Sequence, residues 1–153
     1  VSEGAPELYF YHLEQRTLEE VLPILLERSL ERGWRAVVQA SSEERLDHLN
    51  SHLWTYSQGS FLPHGGPKDG HAADQPIYLT LEDDNPNGAA IRFLVDNAPL
   101  SDPTGYERIV VLFDGRDEAA TADARRQWQE AKTQGLQISY WQQDETGRWQ
   151  KRA

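Results

Sequence analysis

The residues whose types and spacing best suit chemistry lie near the C-terminal end, in ARRQWQEAKTQG, where Arg125, Trp128, Gln129 and Lys132 recur at i, i+3, i+4 and i+7. On a helix that spacing gathers two cations and a large ring within roughly a 100° arc. Arginine pairs with carboxylates in a fixed fork and an indole covers an apolar side chain, so this shelf suits an acidic, aromatic-terminated peptide. An ordinary amphipathic helix with Trp128 in the core accounts for the same spacing. A second constellation, HLNSHLWTYSQGSFLPHGG, runs from His48 to Gly66 and brings Trp54, Tyr56, Phe61 and His64 close together in the chain. Leu46, Leu49 and Leu53 mark the core face of a helix, and Trp54 falls roughly 100° from Leu53, at the edge of that stripe. Trp54 and Phe61 either dock another chain, in continuity with the arginine shelf, or cap the end of the core.

Other groupings point less clearly to chemistry. His48 and His52 are one helical turn apart and with His64 or His71 could form a three-histidine metal site. Both, however, lie opposite the leucine stripe, on the face expected to be solvated, and no glutamate stands between them as in HExxH. Asp83 and Asp84 with Glu82 and Asn85 lack the spacing of a calcium loop. GGPKDG lacks the GxxxxGK[ST] order, and Ser57 and Ser60 sit in no GxSxG. The expectation is therefore no catalytic residue, no bound metal and no cofactor. The alternative is a histidine-dependent metal enzyme or nucleotide hydrolase on a Rossmann-like fold, motivated by His48, His52, His64 and the strand end at Asp114-Gly115.

The chain has 153 residues, a length that suits one domain over residues 1–153 with a sizeable core. Its 38% apolar content, with five Trp, six Tyr and four Phe, excludes a disordered chain, and its apolar runs are too short to span a bilayer. No cysteine is present, and the N-terminal residues lack a secretory pattern, so a cytoplasmic location is expected. A net charge of −10 disfavours broad DNA binding, which needs many cations to release phosphate counterions. A small basic patch on such a body suits an acidic peptide better.

The elements that must position these residues follow from periodicity. LYFYHL, Leu8 to Leu13, reads as a buried strand. Thr17 with Glu20 forms a capping box that opens a leucine-faced helix, bent at Pro23 and stopped by Gly33. RAVVQA is a second strand, expected to complete a right-handed βαβ unit with the first, and Ser41 with Glu44 opens the next helix through Leu53. Gly65 to Gln75 is expected to be the most mobile internal part. Strands follow at Ile77 to Leu81, Ala89 to Val95 and Arg108 to Phe113, the last central, with Asp114 where ligand crevices of open α/β sheets lie. A helix from about Asp117 to Gln134 buries only Ala120, Ala124 and Ala131, so it should lie close to the sheet. LQISYW and a short returning strand in RWQKRA end the chain.

The middle signature LxxHLWTYSQGSFLPHG, the opening LYFYHL and the helix ARRQWQEAKTQG, in this order and spacing, resemble the chi subunit of the bacterial DNA polymerase III holoenzyme over nearly the whole chain. The resemblance implies a three-layer α/β/α fold with a mostly parallel twisted sheet, Rossmann-like without a nucleotide-binding loop. It also implies a non-catalytic accessory role in DNA replication. Chi subunits bridge the clamp loader, through the psi subunit where one exists, to the acidic C-terminal tail of single-stranded DNA-binding protein, so DNA is met only indirectly. Carried over by position, the tail-binding arginine matches Arg125, its aromatic neighbour Trp128 and the tryptophan of the LW pair Trp54. Gln129 replaces the lysine common in the family, and Lys132, one turn on, stands where it can restore the charge. Phe61, Pro63 and His64 match the signature positions.

Overall fold

The computed structural model describes residues 6–14, 16–55, 62–99 and 105–152. Tyr56 and Phe61, and the serines Ser57 and Ser60, lie outside the described residues. Eight strands form one sheet in the order β3-β4-β2-β5-β6-β1-β7-β8. These are β1 Glu7–Leu13, β2 Ala36–Gln39, β3 His64–Gly65, β4 Ile77–Thr80, β5 Ile91–Leu94, β6 Arg108–Asp114, β7 Gln137–Gln143 and β8 Trp149–Lys151. All pairings are parallel except the last, in which β8 returns antiparallel along β7. The helices are α1 Leu18–Glu31, α2 Glu43–Thr55 and α3 Glu118–Thr133.

Alternation along the strands divides the core between the two faces of the sheet. Leu8 and Phe10 of β1, with Ile109, Val111 and Phe113 of β6, join the alanines of α3 on one face. Leu13, Val110 and Leu112 join the leucines of α1 and α2 on the other. The arrangement is a mixed α/β structure with a largely parallel sheet and helices on both sides, in keeping with a Rossmann-like α/β/α layering.

The expected βαβ unit has a wider reach than adjacency would give: β5 and β6 stand between β2 and β1. Strands such as β2 and β5, buried along their whole length, need neighbours on both edges and helices or loops on both faces. Thr17 caps α1 as expected: its side chain accepts from the Glu20 backbone N–H while Glu20 reaches back to the Thr17 backbone. At the other end Gly33, at φ +81°, donates to the Leu30 carbonyl and Trp34 to that of Ser29, a paired closure that glycine makes without strain. The cap of α2 is Ser42, not Ser41: its hydroxyl accepts from the Arg45 N–H, so the residue three positions on is an arginine and no capping box forms.

Pro23 lies inside α1 and has no N–H for the carbonyl of Glu19, one turn earlier. The His52 Nε2 takes that place, 2.6 Å from the Glu19 oxygen. His52 is thus tied into the packing of α2 on α1 and does not simply project into solvent as its helical position suggests. Arg92, inside the run AAIRFLV, is 1% exposed. Its guanidinium donates to the Gln39 side chain, the Tyr106 hydroxyl and the Glu82 and Asp84 carbonyls, which fastens the acidic turn onto the sheet. The Gly65 to Gln75 segment carries a turn, in which Asp69 accepts from the Gly66 N–H at 2.7 Å, and a 3₁₀ turn over Ala72–Asp74. Only this 3₁₀ turn, and no α-helix, follows the glycine-rich turn before β4, so it lacks the strand-to-helix setting of a phosphate-binding loop.

Candidate partner-binding site

The site is built on α3. Asp117 caps it, accepting from the Ala119 and Ala120 backbone at 3.0 and 3.2 Å, and Glu118 in its first turn and Lys132 in its last suit the helix dipole. Ala120, Ala124 and Ala131 are buried as expected, and Gln127 joins them. With alanines beneath it the helix lies close to β6 and β7 and its far side stays open. Arg125, Gln129 and Lys132 are exposed, and Trp128 is half-buried at the boundary. Its ring meets Phe10 and Tyr140 edge to face, with centroids 5.7 Å away in both cases.

Two adjacent arginines differ sharply. Arg126 is spent locally, paired with Asp123 and with Glu130 at 2.8 Å. Arg125 has no ion pair among the described residues, and its charge bears on His12 and Tyr140. These two were not singled out from sequence. His12 Nδ1 lies 2.6 Å from the Tyr140 hydroxyl, and its Nε2 approaches Glu14 at 3.0 Å without hydrogen-bond geometry. Burial holds His12 below the ordinary histidine range, with Arg125 adding to the effect and Glu14 and Asp114 opposing it. Burial also raises the Tyr140 hydroxyl, against the pull of Arg125. Gly115 is required beside them, since the His12 ring leaves no room for a Cβ. No local signal could have named His12 and Tyr140: the charge of Arg125 bears on them only because β1 and β7 are neighbours beneath α3.

Trp54 does not join this shelf. It stands 52% exposed at the end of α2, which packs on β3 and β4 on the opposite face of the sheet, and its ring lies 4.3 Å from that of His64. The expected continuity between Trp54 and the arginine shelf is therefore absent, because α2 and α3 belong to different layers. Phe61 lies outside the described residues.

The histidines have structural partners. His64 is buried, with its two ring nitrogens 2.6 and 3.1 Å from the carbonyls of Leu62 and Asn50, and His48 approaches Glu19 at 3.4 Å. Among the described residues no group of three or more potential ligands is placed to hold a metal ion. Asp114, at the strand end, is pulled below the usual carboxylate range: burial raises it, but the Arg116 backbone and guanidinium outweigh that. No helix among the described residues is long and apolar enough to cross a membrane.

The layered domain thus presents on its outer helix an arginine with no ion pair among the described residues and a half-open indole. Residues 6–139 match the family model described as DNA polymerase III chi subunit, HolC. The chain is also 31% identical over 103 residues to the "Probable DNA polymerase III subunit chi" of Rickettsia prowazekii (strain Madrid E), a match covering 67% of this chain and 62% of that protein. The chain belongs to the DNA polymerase III chi subunit family.

Proposed function

We propose that the protein is a non-catalytic accessory subunit of the replicative DNA polymerase III holoenzyme that links the clamp loader to the acidic C-terminal tail of single-stranded DNA-binding protein. Family membership supports the accessory role. The observation that carries the tail is Arg125, exposed and without a carboxylate partner among the described residues, beside the half-open ring of Trp128. In this reading the guanidinium forks a tail carboxylate, Trp128 covers an apolar side chain, and Lys132 strengthens the field in place of the lysine that Gln129 replaces. Trp54, on the opposite face of the sheet, has no part in this reading of the shelf.

The test is titration of an acidic peptide ending in phenylalanine into the protein and its Arg125→Ala variant. Loss of one charge-assisted contact, about 1.5–3 kcal/mol, weakens binding about tenfold or more. Equal affinity for both would remove Arg125 from the site. Binding also weakens with added salt, because the partner is acidic.

A further inference from the structure

The face of the sheet away from α3 holds a second concentration of positive charge. A groove of about 420 Å³ lies between the C-terminal half of α1 and the strands beside it, floored by Leu25, Phe93 and Val110. Arg28, Arg32 and Arg108 stand around it against one acid, Glu31, in a chain whose net charge is −10. Among the described residues, neither Arg28 nor Arg32 pairs with a carboxylate. Arg108, 17% exposed, reaches Glu7 only at 3.4 Å and leaves its buried Nε without a partner.

Two of these guanidiniums lie over rings in or beside the groove. The Arg32 guanidinium lies 4.0 Å from the centre of Trp34, and that of Arg108 lies 4.3 Å from the centre of Tyr9. Tyr11 packs on Trp149 at 4.7 Å, tilted by 58°. A guanidinium stacked on a ring keeps its N–H edge available for a carboxylate fork, most fully at the exposed Arg32, and leaves the ring one face fewer to offer a nucleobase. The apolar floor beneath the arginines asks for one hydrophobic side chain next to those carboxylates.

We infer that this groove is a docking site for an acidic peptide segment of a partner protein, held by Arg28, Arg32 and Arg108 with an apolar side chain seated on Leu25, Phe93 and Val110. It is separate from the shelf at Arg125, with the sheet between them, and does not depend on what that shelf binds.

The probe is a synthetic peptide of aspartates flanking one phenylalanine, with an amidated C-terminus, titrated into the isotope-labelled full chain while backbone and indole resonances are followed. Shifts at Arg28, Arg32, the Trp34 indole and Arg108 are expected. The double variant Arg28→Gln with Arg32→Gln should weaken binding tenfold or more with only a small drop in melting temperature, since both residues are exposed, while Arg125→Ala leaves binding unchanged. Absence of binding, shifts confined to α3, unchanged affinity in the double variant, or a stronger response of the same residues to an oligo-dT strand would each overturn the inference. The acidic phenylalanine-ended peptide, titrated into the same double variant, reports on the Arg125 shelf alone. Its retention beside loss of groove binding separates the two sites.

Discussion

On the side of the sheet that carries α3, Arg92 and Arg125 occupy opposite settings. Arg92 is enclosed, and its donors are met by Gln39, Tyr106 and two backbone carbonyls. Arg125 is exposed and meets no carboxylate among the described residues, while Arg126 next to it is doubly paired. A guanidinium whose donors are all used internally fixes the shape of the protein. One whose donors are left open keeps its binding capacity for another molecule, at the cost of contributing little to stability.

The largest effect that would break this contrast concerns Arg92. Arg92→Ala leaves Gln39 and the Glu82 and Asp84 carbonyls without their partner and should cost about 3–5 kcal/mol in urea unfolding. A loss no larger than that of a surface substitution would mean that water replaces the guanidinium. Arg125→Ala should leave the unfolding midpoint almost unmoved while weakening acidic-peptide binding about tenfold. Arg126→Ala should leave peptide affinity unchanged, and a decrease equal to that of Arg125→Ala would show that the shelf is merely a diffuse positive field.

A smaller effect is expected where His52 stands in for the bond that Pro23 cannot make. His52→Ala strands the Glu19 carbonyl and should cost about 1–3 kcal/mol. In a Pro23→Ala background, where a backbone N–H is restored, the same substitution should cost clearly less. Equal costs in the two backgrounds would detach His52 from that role. The smallest effect is a pH slope. His12 is held neutral in the fold below its ordinary value of 6.5, so on acidification the unfolded chain takes up a proton first. Stability is full above that value and falls as the pH drops below it toward the lower folded value. Urea midpoints at about pH 7 and about pH 5.5 should differ in this direction, and His12→Gln should flatten the difference.

Much of the architecture is legible from periodicity. The capping box at Thr17 and Glu20, the stop at Gly33, the central strand at Arg108 and the alanine face of α3 each rest on local spacing, and each is found within a residue or two. Less visible were Ser42 as the cap of α2, because Ser41 and Ser42 are both acceptable there, and β3, because a two-residue strand has no period to read. Arg92 was hidden in an apolar run, where its burial depends on carbonyls eight and ten residues away and on the Gln39 side chain. Of the site, Arg125, Trp128, Gln129 and Lys132 share one face because helix geometry requires it. Their relation to Trp54 depended on which layer each helix entered, which spacing along the chain does not encode.

By itself the sequence determined the type and rough extent of most elements, the acidic character of the whole and the cationic-aromatic composition of one helix face, since all of these are set by neighbours within a few turns. Only the tertiary structure decided that Arg125 stands open beside His12 and Tyr140 and that Trp54 lies on the other side. It also decided that Arg28, Arg32 and Arg108 surround one groove. Such placements arise from strand order, and strand order is settled by which surfaces must be buried together across the whole chain.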